Sequence, residues 1–197
     1  KEIIASAYYE DGDTALANIT TCGGVPLINS VGADGVVLFS ASHVTRSGTA
    51  TWSNLSSSSL SLTETNLNTI YVAIRRWKTA QGMPMDIDII SLMIPPDLEK
   101  DAYKTLEARL EPTTANNAPN FAPKIMKGSY LVNQWLSNTG DWYVRTNAQD
   151  SGVNFFFGWE DEMKTGQINP RTSNEYTSID FSLAHGANNM RACYKVK

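Results

Sequence analysis

Helical periodicity is clearest between residues 61 and 82. Ser61-Leu-Thr-Glu64 matches a capping box, in which the Ser61 hydroxyl accepts a hydrogen bond from the Glu64 amide and the Glu64 carboxylate reaches back. Apolar side chains then recur at helical spacing: Leu67, Ile70, Tyr71, Ile74 and Trp77. Gly82 and Pro84 end this pattern. The sequence therefore predicts an amphipathic helix that begins at Ser61.

A buried strand and a second helix follow. Residues 87–94 form a strongly apolar run closed by Pro95 and Pro96. Because both faces of this run are apolar, we expect a strand in the centre of a sheet. Residues 97–110 then place four apolar side chains on one stripe: Leu98, Ala102, Leu106 and Leu110. Acidic residues lie early in this segment and Arg109 lies late, as the helix dipole favours.

The chain beyond these helices is predicted to be rich in strands. An uncharged loop at 112–123 is long enough to indicate a functional or mobile segment. Strands are predicted at residues 124–126, 130–136, 142–145 and 153–159, with a turn at 138–141. Alternation before and after the turn at 186–189 predicts a terminal β-hairpin of residues 179–183 and 190–196. The pattern as a whole predicts an α+β fold.

The first 60 residues are less regular. Residues 1–9 resemble the end of a helix with no N-cap before it, so the sequence is expected to begin partway through an element. Short apolar runs at 25–28 and 36–39 are separated by glycines, which favours short strands or ordered loops. A serine-rich connector at 53–61 leads into the first confident helix.

Composition narrows the class of protein. The 197 residues are 42% hydrophobic with a mean hydropathy of -0.27, which predicts a soluble globular chain. Only 18% of residues are charged, while 18 Ser, 18 Thr and 16 Asn supply uncharged polar surface suited to contact with protein or sugar. A net charge of -4 without a basic cluster disfavours a phosphate-binding surface. Cys22 and Cys193 could pair if the two ends of the chain meet, but two thiols make no disulfide framework.

Residues with catalytic or metal-binding chemistry are few. His43 and His185 have no metal-ligand spacing, and Ser40-Ala-Ser-His43 lacks the glycines of a serine nucleophile elbow. We therefore interpret His43 as a loop histidine with local hydrogen bonds. Three consecutive acids at 160–162 beside Trp159 could suggest glycoside hydrolysis, yet one exposed turn does not place two carboxylates across a cleft.

Two further features have ordinary structural interpretations. Asp86 and Asp88 could bind a cation, but they lack the other ligands of a calcium loop. Core packing is the expected role of four tryptophans in periodic segments: Trp77, Trp135, Trp142 and Trp159. A chain with a real core, few charges and no catalytic grouping indicates a structural or binding protein.

An ordered series of segments resembles the Mu-like major head subunit family, the major capsid proteins of a group of tailed bacteriophages. The early segments are DGVVLFSASH at 34–43, GTATWSNL at 48–55, QGMPM at 81–85 and LMIPPDL at 92–98, followed by Ala102. The later ones are DWYV at 141–144, SIDFSLAHG at 178–186 and MRACYK at 190–195. The chain departs from the family pattern at Ser182-Leu-Ala and at Cys193, and it lacks the expected glycine after Arg191.

The resemblance implies the tailed-phage major capsid fold, also called Hong Kong 97-like, with axial and peripheral domains. On that scheme residues 1–61 are peripheral-domain segments that include the end of the spine helix. Residues 62–148 form the axial domain, and residues 149–197 return to the peripheral domain with the terminal strands. The N-terminal arm and the extended loop would lie upstream of Lys1 and be missing from this sequence.

The same resemblance implies a coat protein without enzymatic activity, cofactor, metal or membrane partner. Such a protein assembles in the host bacterial cytoplasm into hexamers and pentamers of an icosahedral head that encloses double-stranded DNA. Its partners would be copies of itself, a portal protein, and decoration or scaffolding proteins. The 112–123 loop would lie at the axial tip, which makes four of its residues candidates for the subunit interface: Thr113, Asn116, Asn117 and Asn120.

The net charge and the polar surface of the chain fit this expectation. A shell around motor-packed DNA gains little from gripping it, so an acidic coat is reasonable. Polar contacts that are weak individually stabilise a shell when many subunits repeat them. Three alternatives remain open from the sequence: a carbohydrate-binding or adhesin-like module using exposed Trp and Tyr, a glycosidase built on the acids near Trp159, and a bacterial nanocompartment shell.

Overall fold

The computed structural model describes residues 9–10, 21–22, 25–26, 31, 34–45, 48, 51–79, 81–108, 119–126, 130–148, 153–158, 163–168, 175–179, 182–187 and 189–197. Its centre is a four-stranded sheet in the order β12 (Cys193–Val196), β7 (Trp142–Thr146), β5 (Ile89–Ile94) and β6 (Tyr130–Val132). β5 pairs parallel with β6 and antiparallel with β7, which in turn pairs antiparallel with β12. The predicted central position of the 87–94 strand is confirmed.

Helices pack on one face of this sheet. They are α1 (Glu64–Arg75), α2 (Glu99–Glu107) and the single-turn α3 (Ala122–Ile125), with a 3-10 turn at Pro96–Leu98 just before α2. Their apolar stripes meet the inward side chains of β5 and β7 in the first core cluster. Its fully buried members include Leu67, Ile74, Leu92, Ile94, Ala102, Trp142 and Val144. Both long helices predicted from periodicity are thus present.

The start of α1 differs from the predicted capping box. The N-cap is Thr63, whose hydroxyl accepts a hydrogen bond from the Asn66 amide at 3.3 Å. The Asn66 side chain in turn donates to the Ser61 carbonyl at 2.8 Å, so the residues before Thr63 belong to the loop. The prediction that Ser61 caps the helix was wrong because Thr63 has the same capping chemistry and lies two residues closer to the buried Leu67.

Two predicted strands are shorter or of another kind. Residues 124–126 were predicted to be a strand, but they lie mostly in α3, where Pro123 occupies an early helical position that tolerates proline. The Asn120 side chain accepts a hydrogen bond from the Ala122 amide at 2.9 Å and so starts that turn. The predicted strand at 130–136 is limited to Tyr130–Val132, and a turn follows it.

The predicted terminal hairpin was also wrong. β10 (Glu175–Ile179) pairs with β9 (Met163–Ile168), and β11 (Ser182–Ala187) pairs with β8 (Val153–Gly158). The last strand instead joins the central sheet through β7. A 3-10 turn at Met190–Ala192, capped by the Asn189 side chain, separates β11 from β12 and redirects the chain. The strands predicted at 142–145 and 153–159 are confirmed as β7 and β8.

The N-terminal third supplies two short hairpins. β1 (Thr21–Cys22) pairs with β2 (Val25–Pro26), and β3 (His43–Val44) pairs with β4 (Thr51–Trp52). After β4 the chain runs beside β12, where the Ser56 amide donates to the Lys195 carbonyl and the Leu60 amide to the Lys197 carbonyl. Residues 54–60 thereby cover one edge of the sheet, and β6 forms the opposite edge.

A second, smaller core cluster lies on the other face of the sheet. It joins side chains from widely separated segments: Tyr9, Leu38, Phe39, Met93, Leu136, Tyr143, Met190 and Cys193. Tyr9 packs edge-on against Tyr143 with ring centroids 5.4 Å apart, and Phe39 lies near both. Cys193 is a buried free thiol, so it forms no bridge with Cys22.

The tryptophans divide between core and surface. Trp77 and Trp142 are buried, as predicted. Trp135 was predicted to be core but is 53% exposed, because the chain turns directly after β6 and carries it out of the sheet. Trp159 lies outside the described residues.

Candidate assembly surfaces

Asn54 is the hub of a buried polar network beside the second core cluster. Its amide nitrogen donates to the carbonyls of Leu38 at 2.7 Å and Met190 at 2.8 Å. Its amide oxygen accepts from the Ser40 amide at 2.9 Å and faces His43 Nε2 at 3.0 Å. The side chain is fully buried, so these bonds replace the water that it loses. One asparagine therefore joins three distant segments of the chain.

His43 completes this network and is itself fully buried. Its Nδ1 lies 2.7 Å from the Asp34 carboxylate, while its Nε2 faces Asn54 and the Leu38 carbonyl at 3.2 Å. An Asp–His pair can serve a nucleophile, but here the second ring nitrogen is occupied by acceptors and shielded from solvent. The prediction that His43 is held by hydrogen bonds is confirmed, although it lies in β3 rather than in a loop.

Lys195 links the two ends of the described chain. Its side chain is 2% exposed, and Nζ donates to the Glu10 carbonyl and lies 3.4 Å from the Asp141 carboxylate. The Glu10 carboxylate accepts from the amides of Ser137 at 3.0 Å and Asn138 at 2.8 Å, and from the Ser137 hydroxyl. Buried charges need partners of this kind, because removing one partner leaves the other buried without compensation. These contacts join Glu10 to the sheet and to the turn after β6.

Burial also shifts the titration of groups in this region. It raises the pKa of the Cys193 thiol to about 12, an effect that Arg145 partly offsets. Burial likewise raises the pKa of the Tyr9 hydroxyl, with a smaller contribution from Cys193. A thiol held in its neutral form is a weak nucleophile, so Cys193 is a packing residue.

Asp86 and Asp88 both pair with an arginine side chain. The Arg75 guanidinium lies between them, 2.7 Å from Asp86 Oδ1 and 2.9 Å from Asp88 Oδ1. The sequence suggested that Asp86 and Asp88 could bind a cation, and in the structure their cationic partner is Arg75 at the end of α1. Within the described residues, no cluster of three or more His, Cys, Asp or Glu side chains is suitable for a metal ion.

An aromatic column runs along the C-terminal end of α1. His43 stacks on Trp52 at 4.6 Å, Trp52 meets Trp77 edge-on at 5.1 Å, and Trp77 stacks on Tyr194 at 6.3 Å. The Arg191 guanidinium lies 4.5 Å from the centre of the Trp52 ring. Desolvation lowers the pKa of Arg191, as expected for a cation held against an aromatic face.

A cleft of about 340 Å³ opens beside this column. Its apolar wall comes from Trp52, Trp77 and Tyr194, and its rim carries Arg76 and Lys78 together with threonine side chains. The Trp77 indole nitrogen donates to the Ser53 carbonyl at 3.1 Å, so that group is used inside the fold. The cleft combines aromatic surface with positive charge.

Large apolar side chains are exposed elsewhere on the described surface. They are Val44, Val72, Met83, Ile90, Tyr103, Phe121, Leu131 and Trp135. Leu131 lies on the edge strand β6, and Tyr103 lies on the outer face of α2. Single exposed apolar residues are common, and only a contiguous patch of them indicates a contact surface.

Of the predicted interface residues, the structure describes one. The Asn120 amide nitrogen donates to the carbonyls of Thr105 at 2.7 Å and Ala108 at 2.8 Å, which ties the loop to the end of α2. Thr113, Asn116 and Asn117 lie outside the described residues, as do the acids at 160–162. The interface role of these four loop residues remains a prediction.

Neither the cleft nor the polar hub was predicted from the sequence. Asn54 and His43 both fall inside segments that carry the family resemblance, and this was the available signal for the hub. Nothing in the periodicity pointed to Trp52, Arg76 and Lys78 as one surface, because they come from β4 and from the turn after α1.

The described residues form an α+β core whose buried polar groups are used within the fold. A family model described as phage capsid protein matches residues 10–196. Because this match spans nearly the whole chain, the protein belongs to the phage capsid protein family, and this family implies a component of the virion.

Other comparisons add less. The chain is similar to the crystal structure of a virus-like particle from Pyrococcus furiosus, at 9% sequence identity and a TM-score of 0.43. That similarity covers 73% of this chain and 55% of the other, so the chain spans about half the length of the solved protein. No curated protein matches the chain. Among the described helices, none has the length and apolar character needed to cross a bilayer.

Proposed function

We propose that this protein is the major capsid protein of a tailed phage or prophage, of the Mu-like head subunit kind. Copies would assemble into hexamers and pentamers of an icosahedral head that encloses double-stranded DNA. The observation that carries the proposal is the family match over residues 10–196. The polar groups described above support it, because His43, Asn54 and Lys195 hold the fold together and leave the surfaces for contact.

The same proposal assigns parts of the fold to capsid domains. The four-stranded sheet with α1, α2 and α3 would form most of the axial domain of a Hong Kong 97-like subunit. This unit would extend beyond residues 62–148, because β12 is an integral strand of its sheet and residues 54–60 run beside β12. The remaining strands would belong to the peripheral domain, and residues 112–123 would lie near the axial tip.

Charge supports a shell that encloses DNA without gripping it. The chain has 16 basic and 20 acidic residues. Coats that condense their own genome need concentrated positive charge, whereas a shell filled by a packaging motor does not. Portal, scaffolding and decoration proteins would be its further partners, and assembly would take place in the host cytoplasm.

The test is assembly of the purified protein expressed from its complete reading frame. We expect closed shells of uniform size by electron microscopy and a large sedimenting species by analytical ultracentrifugation. A protein that stays monomeric at high concentration would contradict the proposal. Particles filled with a protein cargo and no nucleic acid, when purified from the natural host, would instead identify a nanocompartment shell.

Carbohydrate binding finds less support. The Trp52 ring is covered by His43 on one side and approached by Arg191 and Trp77, which leaves no open face for a sugar. The exposed aromatic residues Tyr103, Phe121 and Trp135 lie on separate elements, and none of the ring contacts among described residues joins them.

A further inference from the structure

We propose that the cleft beside α1 receives the outer face of helix α2 from a second copy of the chain, so that subunits associate head to tail in a ring. This inference rests on the proposed capsid function and names the contact that would build its rings. We call the two surfaces the basic cleft, which is rimmed by Arg76 and Lys78, and the acidic face, which comprises Glu99, Tyr103 and Glu107.

The basic cleft offers an aromatic wall and two exposed cations. Arg76 and Lys78 are exposed, and neither takes part in an ion pair in the described part of the chain. By contrast, the neighbouring Arg75 is held by two carboxylates. A partner for the cleft should therefore bring negative charge, together with an aromatic side chain that can lie against the exposed cations.

The acidic face has that chemistry. Glu99, Tyr103 and Glu107 are spaced four residues apart on α2, so they share one side of the helix. All three are exposed, and Tyr103 is 57% exposed. The opposite side of α2 is buried through Ala102, Thr105 and Leu106.

The acidic face affects the titration of a neighbouring side chain. Tyr130 of β6 lies next to it, and its pKa is raised by partial desolvation and by the nearby charges of Glu107 and Glu99. An exposed tyrosine between two carboxylates is a compact anchor for a cationic aromatic cleft, since tyrosine is enriched in the centres of protein interfaces.

The two surfaces cannot meet within one subunit. The acidic face is on α2, which is tied to the start of α1 through the Thr105 hydroxyl and the Leu62 carbonyl at 3.5 Å. The basic cleft is at the other end of α1, beyond Arg75. A helix of 12 residues is about 18 Å long at 1.5 Å per residue, so the contact must be made between copies.

Contact between two different surfaces of the same chain is heterologous. Such contacts close into rings when the rotation between subunits permits it, and they do not require an even number of subunits. Both six-membered and five-membered rings are compatible with this arrangement. The surfaces therefore fit a subunit that must form both.

Charge reversal tests the pairing in the protein from its complete reading frame. One variant reverses the cleft (Arg76→Glu with Lys78→Glu), and another reverses the helix (Glu99→Lys with Glu107→Lys). Each should lower the assembled fraction at least tenfold, because like charges that face each other across an interface are strongly unfavourable. The variant that carries all four substitutions should recover at least half of the wild-type assembly.

Mixing the two single-surface variants gives a sharper test. In a ring where they alternate, every reversed cleft meets a reversed helix and every native cleft meets a native helix. Alternation requires an even number of subunits, so the mixture should form six-membered rings, sheets or tubes but no pentamers and hence no closed shells. Electron microscopy distinguishes these products.

Controls separate this contact from general effects of charge and folding. Lys100→Glu with Lys124→Glu makes the same change in net charge as the reversed cleft, but on other exposed positions, and should assemble like the wild type. Circular dichroism and thermal melting check that each variant folds. If a variant fails to fold, a photoreactive phenylalanine at Tyr103 replaces it, and the expected crosslink joins residues 76–82 of another subunit.

The possible outcomes distinguish the two proposals. Wild-type shells together with reversed variants that also form shells would overturn the contact and leave the capsid function intact. A lack of rescue in the four-substitution variant and in the mixture, or a crosslink elsewhere, would do the same. A wild-type protein that never assembles would overturn the capsid function itself. Sugar binding by the cleft that is unaffected by assembly would also overturn the contact.

Discussion

The two faces of the central sheet are stabilised by different kinds of interaction. One face packs against α1, α2 and α3 through a large, almost wholly apolar cluster. The other carries a small apolar cluster beside a buried network of Asn54, His43 and Lys195. The first gains stability from area removed from water, and the second depends on every buried polar group finding its partner.

This contrast separates general stability from specific arrangement. Apolar packing tolerates a change of side-chain shape better than a change of polarity. The stability that it provides decreases gradually as buried volume is lost. Buried hydrogen bonds favour one arrangement of distant segments, because the Asn54 side chain must meet the carbonyls of Leu38 and Met190 and the Lys195 ammonium must meet the Glu10 carbonyl. In a shell built from many copies, a specific arrangement of segments gives every subunit the same conformation.

The largest effect is expected on the apolar face. Trp142→Ala should lower the free energy of unfolding by about 4 kcal/mol, since replacing a large buried aromatic residue leaves a cavity. Trp142 is fully buried, and its indole nitrogen donates to the Leu60 carbonyl at 2.8 Å. Urea denaturation followed by circular dichroism measures the change. The matched control Trp135→Ala, at a half-exposed site, should differ from wild type by at most about 0.5 kcal/mol.

The polar face is tested at its hub. Asn54→Ala should cost about 3 kcal/mol, because it leaves the Met190 carbonyl and the Ser40 amide without their side-chain partner and removes one of the two donors to the Leu38 carbonyl. Asn147→Ala, which removes one exposed bond to the Asp88 amide, should cost about 1 kcal/mol. The same denaturation experiment applies. If Asn54→Leu were as stable as wild type, the difference between the two faces would disappear.

The faces also differ in how far the sequence could predict them. Leu67, Ile70, Ile74, Ala102 and Leu106 follow a 3.6-residue period, and the period alone placed both helices and their buried sides. The central strand was equally clear from its length and its flanking prolines. These are local signals, since each element carries its own pattern.

The second face had no such signal. The residues of its core cluster come from six separate stretches of the chain, and the Asn54 contact to Met190 spans 136 residues. The final strand was assigned to a hairpin for the same reason: alternation predicts a strand but not its neighbour. The basic cleft was not predicted because it forms where β4 meets the turn after α1.

A smaller effect tests the start of α1 on the apolar face. Thr63→Ala should destabilise the protein by about 1 kcal/mol, the usual value for loss of an N-cap. Ser61→Ala should change stability by less than about 0.5 kcal/mol, because the Ser61 side chain does not cap the helix in this structure. Thermal melting of the two variants beside wild type gives the comparison. Equal effects, or a larger one for Ser61→Ala, would favour the capping box predicted from the sequence.

An effect of similar size concerns the pH dependence of the second face. Burial raises the pKa of the Cys193 thiol from its ordinary value of 9.0 to about 12 in the folded protein. The folded state therefore favours the neutral thiol, and the contribution of Cys193 is fully present below pH 9 and is lost as the pH rises towards 12. Between pH 9 and 10 stability should fall by roughly 1 kcal/mol on account of this one thiol.

Cys193→Ala should flatten that decline, whatever its effect at neutral pH, because the variant has no thiol at this site to titrate. Urea denaturation between pH 7 and pH 10 gives the slope. Cys22→Ala is the matched control for loss of one thiol from the unfolded chain, and it should keep the decline due to Cys193. Tyr9, whose pKa burial also raises, contributes mainly above pH 10, because its ordinary value is 10.0. A wild-type slope that Cys193→Ala leaves unchanged would mean that the thiol is accessible, and the second face would then be less tightly packed than its contacts indicate.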